Sequence, residues 1–215
     1  MRAKAAYKRA REAKHMEREL AENKIAMMVS QIQPHFLYNS ISCIRELCLS
    51  NPEKAYDALA QLSHFLRGNM DSLSSSAPIP FTRELRHVKN YLALEQLRFE
   101  ELLQVDYQLE ITEFYIPALT LQPLVENAVR YGIRRKTGGG TVFISTREEK
   151  NNIVITVSDT GVGFDVKQKE MAGDDKTHIG MMNVRERLVR QCNGTMEVNS
   201  VPGEGTVVNI YIPKT

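Results

Sequence analysis

A proline followed at once by a histidine interrupts the helical pattern near the start of this chain. Apolar residues recur at helical spacing over residues 25–47, on both sides of Pro34. A proline inside a helix removes one backbone hydrogen bond and clashes with the preceding turn, at a cost of about 3 kcal/mol. A straight helix has no need of this residue. Two interpretations stand: a tolerated kink with His35 on the surface, or a kink that presents His35 as a nucleophile.

The same stretch could be mistaken for a membrane span, because residues 25–44 contain no Asp, Glu, Lys or Arg. We predict no transmembrane helix there, since Gln31, His35 and Asn39 are too polar to face lipid. We also expect no signal peptide, because no apolar run follows the first charges. The basic segment 2–14 fits either a solvated helix end or a juxtamembrane segment under an anionic leaflet. The net charge of +2 argues against nucleic-acid binding.

Two helices are predicted on either side of a turn at residues 50–53. Asn51 is the expected N-cap of the second helix, and Pro52 is its expected first residue. The apolar stripe of this second helix consists of Leu59, Leu62, Leu66, Met70 and Leu73. A single helical hairpin cannot bury two apolar faces. We therefore predict a homodimer through residues about 20–73, in which two hairpins form a four-helix bundle.

The chain is predicted to have three parts, with a Ser- and Pro-rich linker at 72–80. Residues 1–24 are expected to form an N-terminal helix, residues 25–76 the hairpin, and residues 80–215 an α/β domain. Predicted elements of this last part are helices at 82–99 and 117–132, strands at 105–111, 141–146 and 152–158, and a closing β-hairpin at 196–212.

Polar residues inside the helix predicted at 117–132 are the first candidates for a ligand site. Glu126 and Asn127 lie among apolar residues, where buried polar groups need partners. They either bridge locally or serve a ligand. In the second case Asn127 would offer an amide oxygen to a hard cation such as Mg²⁺, and Glu126 a carboxylate facing phosphate or water.

The strand at 152–158 is nearly continuously apolar and is therefore predicted to be central in its sheet. A glycine-rich turn follows it, with the sequence Asp159-Thr160-Gly161-Val162-Gly163. It is either an ordinary turn or a place where the backbone approaches a flat ligand. In the second case Asp159 accepts a hydrogen bond from an exocyclic amine such as that of adenine. Residues 167–177 have the composition of a mobile lid. Asn183 and Glu186 fit a capping box, so a helix is predicted to begin at Asn183 and to offer a phosphate site.

The order of these motifs resembles a known family. Residues 33–39, Gln-Pro-His-Phe-Leu-Tyr-Asn, resemble the phosphoacceptor box of LytS-type sensor histidine kinases. Glu126-Asn127, Asp159 to Gly163, Gly180 to Asn183 and Gly203 to Thr206 together resemble the ATP-binding fold shared by gyrase, histidine kinases and mismatch-repair ATPases. The resemblance implies a dimerising helical hairpin followed by a two-layer α/β sandwich that binds ATP.

The resemblance also implies roles for individual residues. His35 would be the phosphoacceptor, and Asn127 would bind Mg²⁺. Many histidine kinases carry an acid directly after the histidine, but Phe36 stands there in this chain, so Glu126 becomes the candidate for a base or orienting group. The residues implied for nucleotide binding are Asn127, Arg130, Asp159, Gly161, Gly163, Gly180, Asn183, Gly205 and Thr206.

The implied activity is ATP-dependent autophosphorylation followed by phosphotransfer to an aspartate of a response regulator. The implied place is the cytoplasmic portion of a bacterial membrane sensor, with a membrane-spanning segment upstream. Two positions depart from the family pattern: Tyr131 replaces a histidine, and His178 replaces the first glycine of a Gly-x-Gly. Two alternatives therefore stay open, namely a partner-binding pseudokinase and an ATPase of the same fold in which Glu126 activates water.

Overall fold

The computed structural model describes residues 34–74, 77–166 and 176–214. Five α-helices are α1 (Pro34–Ser50), α2 (Pro52–Ser74), α3 (Phe81–Phe99), α4 (Leu121–Asn127) and α5 (Lys176–Cys192). The strands are β1 (Ile79–Pro80), β2 (Leu103–Leu109), β3 (Tyr115–Ile116), β4 (Gly140–Glu149), β5 (Asn152–Asp159), β6 (Thr195–Val201) and β7 (Gly205–Pro213). The predicted N-terminal helix, the residues upstream of Pro34 and most of the predicted lid lie outside the described residues.

Helices α1 and α2 form the predicted hairpin. The side-chain oxygen of Asn51 accepts a hydrogen bond from the backbone N–H of Lys54 at 3.0 Å, which confirms Asn51 as the N-cap of α2. The hairpin is closed by an aromatic contact between Phe36 and Phe65, whose ring centroids are 4.9 Å apart. No helix in the described part of the chain is long and apolar enough to cross a bilayer.

The apolar residues of α2 are divided between two faces of the helix. Its buried apolar residues are Ala55, Ala58, Leu62 and Phe65. Leu59, which was assigned to the stripe, is 57% exposed. The reason is that α3 packs on the hairpin as a third helix, so the buried face of α2 turns towards Tyr91. The Tyr91 ring lies 5.1 Å from Phe36 and 5.9 Å from Phe65.

The α/β part is built on a five-stranded sheet with the order β2-β4-β5-β7-β6. Strands β2 and β4 run parallel, and the other neighbours run antiparallel. Strand β5 is paired on both sides, which confirms the central position predicted from its apolar run. Along β4, Val142 and Ile144 are fully buried whereas Phe143 is 39% exposed, so helices cover only one face of the sheet. The predicted two-layer sandwich is confirmed.

Helix α4 is fixed at its start by a buried carboxylate. Glu84, on α3, is 1% exposed and accepts hydrogen bonds from the backbone N–H groups of Leu119 and Leu121, both at 3.1 Å. These amides precede or begin α4 and have no partner within the helix. At its other end α4 continues into a π-helical turn, Ala128–Gly132. The helix predicted over 117–132 is therefore shorter at its start and changes type at its end.

The predicted start of the last helix is wrong. Helix α5 begins at Lys176, and Asn183 lies in its interior, so Asn183 cannot act as the N-cap of a capping box. The physical reason is that the packed face of the helix already includes Met181, upstream of Asn183. Met181 packs against the same core as the fully buried Val184 and Leu188, and the three residues follow at the three- and four-residue spacing of a helix.

Candidate nucleotide and phosphoacceptor site

A pocket lies between α4 with its π-helical turn and the ends of β5 and β7; we call it the nucleotide pocket. Residues that line it include Leu124, Asn127, Ala128, Tyr131, Asp159, Gly163, Phe164, Met181, Thr206 and Val208. The α4 members recur at three- and four-residue spacing, so one helix face forms one wall. The structure thus brings Asn127, Asp159, Gly163 and Thr206, all predicted for the nucleotide, into one pocket.

Asp159 is the acidic group of this pocket and is 7% exposed. Its Oδ1 accepts a hydrogen bond from the backbone N–H of Gly161 at 2.8 Å. Burial raises the pKa of Asp159 to about 6, although hydrogen bonds from Gly161 and Thr206 and the charge of Lys136 act in the opposite direction. At neutral pH the carboxylate is therefore ionised and can accept a hydrogen bond from an amine of a flat ligand.

Two glycines allow the backbone to close around Asp159. Gly163 has a φ of +57°, and a Cβ atom there would overlap the carbonyl oxygen of Val201. Gly205 has a φ of +120°, and a Cβ atom there would overlap the carbonyl oxygen of Asp159 itself. Side chains are excluded at both positions by the left-handed backbone and by the lack of space. The glycines are therefore structural requirements of the pocket wall.

Asn127 is the candidate for a metal ligand. Its Nδ2 atom is buried and has no hydrogen-bond partner among the described residues, which suits an oxygen atom of a ligand. The amide oxygen is the atom that could ligate Mg²⁺. The described residues contain no group of three or more His, Cys, Asp or Glu that could hold a metal ion. This donor set fits Mg²⁺, which is commonly held by one or two protein groups together with substrate phosphates.

A second cavity lies between the hairpin and the sheet domain; we call it the junction cavity. It is lined by Asn69, Leu119, Gln122, Pro123, Glu126, Gly180, Asn183 and Arg187. Three residues predicted for the site, Glu126, Gly180 and Asn183, therefore line this cavity and not the nucleotide pocket. Glu126 accepts a hydrogen bond from Gln122 Nε2 at 2.8 Å. Because Glu126 and Asn127 are consecutive residues of α4, about 100° apart around its axis, the two cavities lie on adjacent faces of one helix.

Two residues that the sequence analysis did not assign to the nucleotide stand out beside Arg130. Tyr131 lines the nucleotide pocket, with Arg130 Cζ 5.0 Å and Arg135 Cζ 5.2 Å from its ring centroid. Arg135 also lines the pocket. Tyr131 follows Leu124 and Asn127 at seven and four residues along the helix, so helical spacing alone could have identified it. The replacement of histidine by tyrosine thus supplies an aromatic wall held between two cations.

His35 lies on the exposed surface of the first turn of α1. Asn39 Nδ2 is 2.9 Å from its Nδ1 and 3.4 Å from its Nε2. Desolvation and the charges of Arg134, Arg98 and Arg130 lower the pKa of His35 below its ordinary value, so the ring is neutral at neutral pH. Asn39 was not among the predicted site residues, although a spacing of four residues on one helix places two side chains together. Glu126, its candidate partner for His35, lines the junction cavity.

An α/β sandwich with a buried aspartate, glycine-shaped walls and a helical hairpin that carries a histidine defines a class, the histidine-kinase type of ATP-binding protein. Comparison with known families agrees. Residues 23–103 match the family described as histidine kinase, and residues 117–215 match the family described as histidine kinase-, DNA gyrase B- and HSP90-like ATPase. The chain belongs to the histidine kinase family.

Individual relatives and structures extend this result. The uncharacterized protein YwpD of Bacillus subtilis is 34% identical over 93% of this chain and 73% of its own length. Sensor protein LytS of Oceanobacillus iheyensis is 35% identical over 94% of this chain, and sensor histidine kinase YpdA of Escherichia coli is 36% identical over 91%. The chain spans only 36% and 35% of these two relatives.

Two solved structures share the fold. The histidine kinase domain of the blue-light activated kinase of Erythrobacter litoralis covers 71% of this chain with a TM-score of 0.51 and 16% identity, and the match spans 74% of that structure. Histidine kinase AdeS of Acinetobacter baumannii covers 78% with a TM-score of 0.50 and 18% identity, and the match spans 82% of that structure. At these identities the structures support the fold alone.

Proposed function

We propose that this chain is the kinase part of a two-component sensor, which binds ATP and phosphorylates itself on His35. The observation that carries the proposal is the state of His35. It is exposed, its pKa is lowered, and it lies on a hairpin packed against the domain that holds the nucleotide pocket. A neutral imidazole needs no base before it attacks phosphorus, so positioning and charge dominate the reaction.

In the proposed reaction a ring nitrogen of His35 attacks the γ-phosphorus of ATP. A P–N bond forms while the bond from phosphorus to the leaving ADP oxygen breaks. We assign Nε2 as the nucleophile, because Asn39 engages Nδ1 more closely. This assignment requires the proton on Nδ1 and the Asn39 amide oxygen facing it, an orientation reached by a half-turn of the amide group. Mg²⁺ held by Asn127 would neutralise phosphate charge.

Three arginines near His35 support its proposed role as the phosphoacceptor. Arg98, Arg130 and Arg134 come from α3 and from the segment after α4, and their charges reach His35 on α1. A phosphoryl group bound to His35 carries negative charge, which these cations stabilise relative to a neutral surface. The guanidinium groups therefore favour both the neutral nucleophile and the phosphorylated product.

A second copy of the chain is the proposed partner of the exposed hairpin face. Tyr38 is 74% and Ile41 52% exposed on α1, while Tyr56 is 77% and Leu59 57% exposed on α2. One face of the hairpin is covered by α3, and these residues leave apolar area on the other. Two such faces together complete the predicted four-helix bundle. The phosphohistidine would then pass its group to an aspartate of a response regulator, at the cytoplasmic side of a membrane-bound sensor.

The test is labelling with γ-labelled ATP and Mg²⁺ in wild type, His35→Gln, Asn127→Asp and a matched control, His64→Gln. His64 is another exposed histidine of the same hairpin. We expect acid-labile, alkali-stable label in wild type and in His64→Gln, and at least a hundredfold less in the other two variants. Label that persists in His35→Gln would refute the acceptor. Wild type that takes up no label and binds no nucleotide would favour the pseudokinase, and steady release of phosphate without protein label would favour the ATPase.

A further inference from the structure

A buried polar pair joins the hairpin to α3. Asn69 on α2 and His87 on α3 are each 7% exposed, and Oδ1 of Asn69 lies 3.0 Å from Nε2 of His87. Burial lowers the pKa of His87, so the ring is neutral at neutral pH and its Nε2–H donates to Oδ1. Replacement of such a pair by two apolar residues is often neutral for stability. The pair therefore points to a role other than stability.

A line of aromatic contacts connects His87 to the start of α1. The His87 ring stacks on Phe65 with ring centroids 5.0 Å apart and planes 7° apart. Phe65 in turn contacts Phe36 at 4.9 Å, and Phe36 also contacts Tyr91 of α3 at 5.1 Å. Phe36 directly follows His35 in the chain. The position of α2 on His87 is therefore passed on, through packed rings, to the residue beside the proposed phosphoacceptor.

A glycine brings the backbone of α2 against the same ring. A Cβ atom at Gly68 would overlap the His87 side chain, so the ring occupies the space that a larger residue would need. Glycine inside a helix is destabilising relative to alanine, and the close approach of His87 gives a reason for it here. Phe65, Gly68 and Asn69 follow at three- and four-residue spacing, so one face of α2 is shaped around His87.

The hydrogen bond supplies a directional contact that the rings lack. Apolar burial is non-directional, and packed helices can shift against each other by a turn, about 5.4 Å. The Asn69–His87 bond forms in one register only, and a shift would leave both buried groups without this partner. Fixing a register is the best-attested use of a buried polar group. Register matters for chemistry, because a misplacement of about 1 Å can cost about a hundredfold in rate.

We propose that Asn69 and His87 are positioning residues, whose hydrogen bond holds the hairpin on α3 in one register and so places His35 for phosphoryl transfer. This inference rests on the proposed function. Neither residue lines the nucleotide pocket. Loss of the pair therefore slows transfer to His35 without weakening the binding of the nucleotide.

The test compares four forms of the full 215-residue chain: wild type, His87→Phe, Asn69→Leu and the double variant. Phenylalanine keeps the stack on Phe65 and removes the ring N–H. Each single variant leaves one buried polar group unpaired and should lower the urea midpoint by about 0.5–1 M, whereas the double variant should lie within about 0.3 M of wild type. We expect the double variant to bind ADP within about twofold of wild type, but to take up label from saturating γ-labelled ATP at least about tenfold more slowly.

A native thiol reports on the position of α1 without any activity. Cys43 on α1 is half-buried and its Sγ donates to the Leu97 carbonyl of α3 at 3.6 Å, whereas Cys48 on the same helix is exposed. Loss of register should raise the alkylation rate of Cys43 relative to Cys48 by about threefold or more in the double variant, because access governs thiol reactivity. Cys192 lies on α5, and its relative rate should not change. Peptide mass spectrometry measures all three rates.

Thr156→Val combined with Asn209→Leu is the matched control. Thr156 Oγ1 donates to Asn209 Oδ1 at 2.8 Å on the uncovered face of the sheet, so this variant also replaces a polar pair by an apolar one. It should label, and protect Cys43, as wild type does. Wild-type labelling or a wild-type alkylation rate of Cys43 in the double variant, or equal changes in the control, would overturn the inference. Wild type that takes up no label would overturn the proposed function, and Cys43 alkylation would then decide separately whether the pair fixes the hairpin.

Discussion

The sheet domain and the hairpin place their reactive groups in opposite ways. Asp159 is 7% exposed at the end of a central strand, and glycines force the backbone around it. His35 lies on the surface of a helix end, and the neighbouring Phe36, 4% exposed, anchors it to α3. Under the proposed function, nucleotide recognition would depend on a rigid, enclosed carboxylate, whereas phosphoryl transfer would depend on a histidine whose position follows the docking of a helix pair.

Loss of the Phe36 ring is expected to have the largest effect. Phe36→Ala removes contacts with Phe65 and Tyr91 and should lower the free energy of unfolding by about 3–5 kcal/mol, because a buried aromatic ring leaves a cavity. Leu49→Ala, at a residue that is 92% exposed, is the control and should change it by less than about 0.5 kcal/mol. Urea denaturation measures both. Similar small effects for the two variants would break the claim that Phe36 anchors the histidine.

A glycine of the sheet domain should be less tolerant than one of α5. Gly205→Ala places a Cβ against the Asp159 carbonyl at a φ of +120° and should cost about 2–4 kcal/mol of stability. Gly180→Ala, inside a helix, places a Cβ that meets no atom of the described residues within 4 Å, and it should stabilise the fold by up to about 1 kcal/mol. Urea denaturation of the two variants measures both changes in the free energy of unfolding. A neutral Gly205→Ala would show that the pocket wall is not rigid.

Acid pH should weaken nucleotide binding through the sheet domain alone. The pKa of Asp159 is raised to about 6, and the ionised form is the one that accepts a hydrogen bond from an amine. Affinity for ADP should therefore be constant above about pH 7 and fall by up to about tenfold per unit as pH drops below 6.

Titration calorimetry between pH 7.5 and 5 measures this dependence. Asp159→Asn has no titrating carboxyl at this position and should bind ADP weakly with little change over that interval. If the affinity of Asp159→Asn for ADP still fell with pH as it does in wild type, another group would control the pH dependence of binding.

The smallest effect on the single chain is expected from the exposed hairpin face. Leu59→Glu should leave the stability of one chain within about 0.5 kcal/mol, because this side chain is 57% exposed. The same change should weaken self-association by at least about tenfold, since it places a charge in the apolar dimer face. Urea denaturation measures the stability of the single chain, and sedimentation equilibrium measures its self-association. Unchanged self-association would show that the dimer interface lies elsewhere.

Several elements of both domains could be predicted from local patterns. The apolar run Ile153 to Val157 identified a central strand, and Asn51-Pro52 identified a helix start. The start of α5 was predicted wrongly because a local capping pattern at Asn183 competed with apolar spacing that continued upstream. Spacing along the chain also cannot reveal which neighbour covers a helix. For this reason Leu59 was placed in the stripe and Phe65, which faces Tyr91, was missed.

The candidate site also contains residues that could be predicted from the sequence and residues that could not. Residues that lie close along the chain, such as Asp159, Gly161 and Gly163, could be grouped from the sequence. Contacts between distant segments could not: Asn69 on α2 meets His87 on α3, and no spacing relates Asn69 to Arg187. The predicted roles of Glu126, Arg130, Gly180 and the other site residues stay predictions until variants are measured.

The most direct test of the account is to locate the phosphoryl group itself. The wild-type chain is incubated with ATP and Mg²⁺, digested at alkaline pH, and mapped by mass spectrometry with electron-transfer fragmentation. The account predicts one phosphoryl group, on His35, which disappears in Asp159→Asn because the nucleotide is no longer held. A phosphoryl group on His64 or on another residue, or an unmodified His35 in protein that binds ATP, would contradict it.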